Sequence, residues 1–300
     1  MIKNKKLSNP FSTGGGGVHF EAHVQASFVA LMLTGGHAPC LPCWPIAEIK
    51  LQGKIDGFDT DDLVVVVEDV NSKERRKLLG QVKHSIAITQ GSTLFGEVMQ
   101  AAWNDFKNPK VFTRDKDIIA LITGPLSATD AHNVQWLLNQ ARHTKNVDEF
   151  FRNVQQANFS PPKSVEKLEV IQHHLKVLNG GNDVSRDELY DFLNHFHLLG
   201  YDLGNEFGVV LSLLHSHISQ FQQQYPQWVW SRVVDVVQTW NQDAGTITPG
   251  KLPEDLLEAF KQKAVAEIPE EFKAAQEKPK TNWAQHTDAT YLALAVLIGA

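Results

Sequence analysis

"GFDTDDLVVVVEDVNSKERRKLLGQVKHS", residues 57–85, sets three aspartates before four valines and closes on Gln81-Val82-Lys83 in a second apolar run. The β-branched run Leu63–Val67 suits a central strand. Residues i and i+2 share a strand face, so Gln81 and Lys83 point one way while Val82 enters the core. An aspartate heading the neighbouring strand can meet them at the sheet edge. Carboxylate, carboxamide and ammonium converging there make a place for one hard divalent cation, a water and a phosphate. The carboxylate holds Mg²⁺ through oxygen, and the lysine steadies the attacking water or the developing charge on phosphorus. Gln81 offers a carbonyl oxygen as a weaker ligand or water positioner. Glu21, one turn before Gln25 on the first predicted helix, completes the metal shell. Packing alone explains Lys83 poorly, because an unpaired lysine in an apolar strand costs free energy.

Outward from this stretch the elements alternate. Phe20, Val24, Phe28 and Leu31 repeat at helical spacing within residues 19–33. "IAEIKLQG" (46–53) alternates as a half-buried strand does, "EDVNSKERR" reads as a polar turn, and "KLLGQVKHSI" as a further strand. "LFGEVMQAAWNDF" (94–106) is helical and "DIIALITG" (117–124) a buried strand. Helix, three strands, helix, strand is an α/β order. From residue 129 the pattern is helical throughout, with segments near 129–142, 146–156, 164–178, 185–197, 205–223, 227–241 and 253–265. No strand is expected beyond about residue 145. "EIPEEFKAAQEKPKTNWAQ" reads as a linker, and "DATYLALAVLIGA" as the start of an apolar helix leading to a further domain.

Composition bounds the partners. The 300 residues are 42% hydrophobic and 21% charged, with two cysteines and a net charge of −6. The first 120 residues are near neutral, with 14 Lys/Arg against 13 Asp/Glu, so the negative balance lies beyond them. Bases gather at "KERRK" (73–77) and "KNPKVFTRDK" (107–116), beside an acidic focus at 56–69, which is compatible with phosphate contact and equally with solvated loops. There is neither a secretory h-region nor an apolar run long enough for a membrane span. Two cysteines make no disulfide framework, and a cytoplasmic protein with no membrane partner is expected.

The order helix-Glu, strand-Asp, strand-(D/E/Q)-x-Lys resembles the PD-(D/E)XK nuclease superfamily, in the branch whose motif carries Gln, here Gln81-Val82-Lys83. It is similar to the nuclease domain at the front of bacterial STAND-type, NACHT-related anti-phage proteins and related double-stranded-DNA-cutting effectors. "TGGGGVHFEAHVQA", "GFDTDDLVV", "QVKH" and "AAWNDF" carry the likeness, which continues through "LITGPLSATDAHNV", "LLGYDLGNEFGVVLSLLHSHI" and "VWSRVVDVVQTWN". The resemblance implies a restriction-endonuclease-like mixed sheet flanked by helices (1–143), an all-α domain (144–268), and a linker and helix (269–300) leading to a STAND NTPase. It implies catalytic Lys83 and Gln81, with Asp62 as the favoured acid, Asp61 second, Asp59 also within reach and Asp56 distant. Glu21 matches the helix acid. Asp62, Gln81 and Glu21 would hold Mg²⁺, with Mn²⁺ as substitute. Glutamine in place of an acid at 81 weakens one ligand and leaves one or two ions open. The implied function is metal-dependent endonuclease cleavage of DNA. The active form would be a homo-oligomer, dimer or tetramer, released by a phage-protein trigger sensed outside this chain.

Plainer readings stand beside these. Glu21 also suits a helix N-terminus, and "DTDD" a polar turn. His37, Cys40 and Cys43 have zinc-like spacing but no second cysteine pair, so loop thiols explain them better. The tetraglycine 14–17 lacks the rest of a phosphate loop, and no Walker A motif occurs. A catalytically silent interaction module and an RNA-cutting nuclease are the rival functions.

Overall fold

A computed structural model describes residues 15–222 and 224–261. The valine run is the middle of a six-stranded sheet. Strands β1 (Ile46–Leu51), β2 (Leu63–Glu68) and β3 (Arg75–Lys83) form an antiparallel meander, with Leu63 opposite Gly80 and Glu68 opposite Arg75. Helix α2 (Thr93–Lys107) then returns the chain to β4 (Ile118–Thr123), parallel to β3, with Lys83 opposite Thr123. Such a parallel return needs a crossover, and the helix supplies it.

Both sheet faces are covered, which is why β2 reads as an unbroken apolar run rather than an alternating one. Val64, Val66, Leu79, Ile119 and Leu121 pack under α2, α3 (Ala128–His143), α4 (Val147–Gln155), α5 (Ser164–Leu178) and α6 (Arg186–His195). Leu63, Val65, Val67, Leu78, Val82, Ala120 and Ile122 pack under α1 (Gly15–Thr34), α7 (Val209–Ser219), α8 (Pro226–Gln242) and α9 (Glu254–Ala259). Each buried valine contributes about 1.5 kcal/mol or more by removal from water. Helix α1 is buried nearly all round, from Phe20 and Ala22 through Phe28, Val29 and Ala30, because α7 and α8 pack against it as well as the sheet.

The expected division into 1–143 and 144–268 is corrected. The sheet order is β5-β4-β3-β2-β1-β6, and both outer strands come from the second half: β5 (Phe196–Gly200) runs parallel to β4, and β6 (Thr246–Ile247) pairs antiparallel with β1. The described chain through Phe260 packs as one unit. The helix expected over 185–197 ends at His195, where Phe196 takes extended angles (φ −93°, ψ 130°). Phe192, Phe196 and Leu199 keep an approximately helical spacing, so periodicity alone continues the helix; pairing with the open edge of β4 overrides it. Arg75 and Arg76, expected in a turn, begin β3, where Arg75 faces its cross-strand partner Glu68 at 2.8 Å. The expected linker and terminal helix over 269–300 lie outside the described residues.

Candidate functional site

Asp62 stands immediately before β2, and continuing the antiparallel register by one residue sets it beside Gln81 near the end of β3. The strand-face argument holds: Val82 is buried in the core while Gln81 and Lys83 meet the aspartate. One carboxylate oxygen, Asp62 Oδ2, accepts from Gln81 Nε2 at 2.5 Å, from the Val82 backbone N–H at 2.7 Å and from Lys83 Nζ at 3.1 Å. The Lys83 side chain is 25% exposed and that of Asp62 12%, so this is a half-sheltered ion pair with one end open to solvent.

Glu21 approaches from α1. Its Oε1 accepts from Gln52 Nε2 at 2.8 Å, from Gln25 Nε2 at 3.1 Å and from Asn241 Nδ2 at 3.5 Å. Gln25 also donates to the Asp62 carbonyl at 2.8 Å, tying α1 to the entrance of β2. Burial pushes the Glu21 carboxyl above its usual range, and the negative charge of Asp62 adds to the shift. The Asp61 carboxyl is likewise raised, first by burial and then by Asp62, with Lys54 and Lys83 opposing. Three acids thus share one neighbourhood with two lysines, and two of the acids are disfavoured as anions.

The tertiary structure sorts the aspartates. Asp59 is turned toward α2, where its Oδ2 accepts from Asn104 Nδ2 at 2.8 Å. Asp56 pairs with Lys50 at 2.9 Å. Asp62 reaches Gln81 and Lys83, and Asp61 lies close enough for its charge to be felt. The loop is shaped by Asp105 of α2, 1% exposed, whose two oxygens accept the backbone N–H groups of Asp59 (2.9 Å) and Thr60 (2.7 Å).

The sequence reading missed four contributors. Gln52 has no distinctive signal. Gln25 is detectable as a polar residue inside an apolar helix, and Asp105 as an acid among the apolar positions of "AAWNDF". Asn241 belongs to the half expected to form another domain.

Whether these residues suit Mg²⁺ can be tested on their free oxygens. Asp62 Oδ1 and Glu21 Oε2 accept no hydrogen bond among the described residues, and Gln25 Oε1 is fully buried without a partner. Hard cations take such oxygens. Two carboxylate oxygens and an orphaned amide oxygen are thus of the type that a hard cation takes, while the described residues contain no group of three His, Cys, Asp or Glu side chains at ligand spacing. Gln81 turns its amide nitrogen to Asp62, because a carboxylate can only accept. His37, Cys40 and Cys43 form no metal group either, and both thiols are free and exposed.

No family model matches the chain, and neither does any curated protein. Solved structures similar to it include the Moraxella osloensis Cap4 SAVED/CARF-domain containing receptor, at 13% identity and TM-score 0.42, covering 79% of this chain and 45% of that one. Another is the Acinetobacter baumannii Cap4 SAVED/CARF-domain containing receptor with the cyclic trinucleotide 3'3'3'-cAAA, at 11% identity and TM-score 0.44, covering 81% and 46%. The chain spans less than half the length of these receptors. Likeness at this level carries no argument about mechanism. The expectation of a DNA-cutting effector is not carried forward: these four similar chains are described as SAVED/CARF-domain containing receptors, two of them with a cyclic trinucleotide. Among the described residues no helix is long and apolar enough to cross a membrane.

Proposed function

We propose that the Glu21–Asp62–Gln81–Lys83 cluster binds a phosphate ester together with a divalent cation. The observation that carries this reading is the convergence of Gln81, Val82 and Lys83 on a single oxygen of Asp62, with the destabilised Glu21 carboxylate alongside. Two carboxylates against one paired ammonium leave negative charge in a half-buried place. A Mg²⁺ ion, or Mn²⁺ in its stead, would relieve it through Glu21 and Asp62 and supply a positive centre for a phosphate oxygen. Lys83, already held at the rim, donates a charge-assisted bond to the same group. A restriction-endonuclease-like plan for the antiparallel meander and its parallel fourth strand belongs to this reading. It is supported by the position of the cluster at the ends of β2 and β3.

The test is binding of phosphate esters to the full chain by calorimetry, in Mg²⁺ and in EDTA. Adenosine monophosphate, a linear triadenylate and 3'3'3'-cAAA serve as probes, and chromatography of the recovered ester reads any turnover. Binding should require the cation. Lys83→Ala should weaken it by about 1.5–3 kcal/mol, roughly tenfold to over a hundredfold, the worth of a hydrogen bond to a charged group. Asp62→Asn should remove the cation dependence. Esters that bind equally in EDTA, or equally to Lys83→Ala, would overturn the reading. So would failure of every probe to bind.

A further inference from the structure

A polar cavity, away from the Asp62 cluster, opens where the outer strand β5 meets α3 and the loop after α1. It measures about 420 Å³ and is lined by Cys40, Gln135, Asn139, Arg142 and His197, with Leu198 and Leu199 as its apolar wall. Gln135, Asn139 and Arg142 follow one another at i, i+4 and i+7, so α3 presents three donor-bearing side chains along one stripe. Two guanidinium N–H groups are engaged: Nη1 donates to the Phe196 carbonyl at 3.1 Å and Nη2 to Asn139 Oδ1 at 2.9 Å. Those partners are neutral. Among the described residues no carboxylate lies within ion-pair distance of Arg142. Burial lowers its pKa, and only the Cys40 thiol opposes that shift.

A half-buried guanidinium without a counter-ion is uncommon, because the desolvated charge costs free energy unless it is matched. The neighbours offer it no charge. His197 is pushed down to about 3, first by burial and then by Arg142 and His195, and is neutral at physiological pH. The Cys40 residue is exposed overall, but the atoms packed round its sulfur desolvate the thiol and raise its pKa, with Arg142 opposing, so it supplies no fixed negative charge. A neutral imidazole keeps one N–H donor, and the His197 ring, unlike its backbone in β5, has no hydrogen-bond partner among the described residues. The cavity therefore collects an unmatched cation, two carboxamides and an imidazole donor around space large enough for a small molecule.

We propose that this cavity is a binding site for a small oxyanion, the phosphate or carboxylate group of a ligand, received by Arg142 with Gln135, Asn139 and His197. Planar carboxylate and phosphate oxygens match the remaining guanidinium N–H groups. The site uses none of the residues of the Asp62 cluster and stands or falls separately from it.

Cys40 provides the readout. In the full chain carrying Cys43→Ser, the rate at which a thiol reagent modifies Cys40 is followed with inorganic phosphate, acetate, or chloride at matched ionic strength. For a millimolar site, about ten times Kd of the occupying anion should slow modification roughly tenfold. Chloride should not do so, and Arg142→Gln should abolish the protection. Phosphate protecting more than acetate identifies a phosphate-bearing ligand, and the reverse a carboxylate. Modification unaffected by both anions would overturn the proposal, as would equal slowing by chloride or protection that persists in Arg142→Gln. Should Arg142→Gln fail to fold, Gln135→Ala keeps the guanidinium's internal bonds and must still weaken protection.

Discussion

Glu21, a residue of the candidate site, sits where its charge is costly to the fold. Its carboxyl is raised by burial and by Asp62, so the unfolded chain releases this proton more readily than the folded one. A raised acid favours the fold only below its unfolded pKa, and that contribution is lost as pH climbs through the folded value. Glu21→Gln keeps an acceptor for Gln25, Gln52 and Asn241 while removing the charge. The variant should melt higher than the wild type at pH 8, by a few degrees if about 1 kcal/mol is recovered, and the advantage should vanish near pH 4. Cation binding should fall in the same protein. A melting temperature unchanged or lowered at pH 8 would show that the Glu21 anion is already compensated. Lys83 and Gln81 were legible at this scale because strand alternation places them on one face. Asp62 was already the favoured acid from its place directly before the valine run; the structure adds that Asn104 and Asp105 of α2, more than forty positions away in the chain, hold Asp59 elsewhere.

Two contacts between elements hold the loops that flank the cluster. Asp105 of α2 grips the backbone before β2, and its own carboxyl is raised by burial despite the N–H groups of Asp59 and Thr60. Asp105→Asn turns an amide donor toward one of those N–H groups. It should cost about 1–3 kcal/mol, the penalty for a buried unsatisfied group, and should weaken ester binding although position 105 lies outside the cluster itself. Chemical denaturation and calorimetry together check this; lost stability with unaltered binding would make Asp105 merely structural. After β3, the loop is held from α5. Lys167 Nζ donates to the Ile88 carbonyl at 2.7 Å and pairs with Asp130 at 2.7 Å, the two side chains only 7% and 10% exposed. His174 of the same helix bonds the Thr89 carbonyl at 3.0 Å. Asp130→Ala leaves a buried ammonium without its anion and should cost about 3–5 kcal/mol. Asp130→Ala combined with Lys167→Met should recover much of that loss. A single variant as stable as the wild type would show the pair to be compensated by solvent.

For the whole molecule, the decisive feature is that both sheet edges and one site residue come from the second half. A fragment ending at residue 143 would lack β5, β6 and α8. It would expose the apolar face of β4 and of α1, and leave Glu21 without Asn241. It should not fold on its own, whereas residues 1–261 should unfold cooperatively; circular dichroism and melting of the two fragments check this. A folded, cooperatively melting 1–143 would restore the two-domain division. Sequence alone determined the local features: the central valine strand, the helices at their 3.6-residue period, and the shared face of Gln81 and Lys83. These follow from side-chain alternation and apolar spacing, which act between neighbours in the chain. Only the tertiary structure decided that "FHLLG" is a strand, that Asp59 turns away to Asn104, and that Asn241 belongs beside Glu21. Each of these depends on a partner distant in sequence, an open strand edge or a buried donor, that no local pattern encodes.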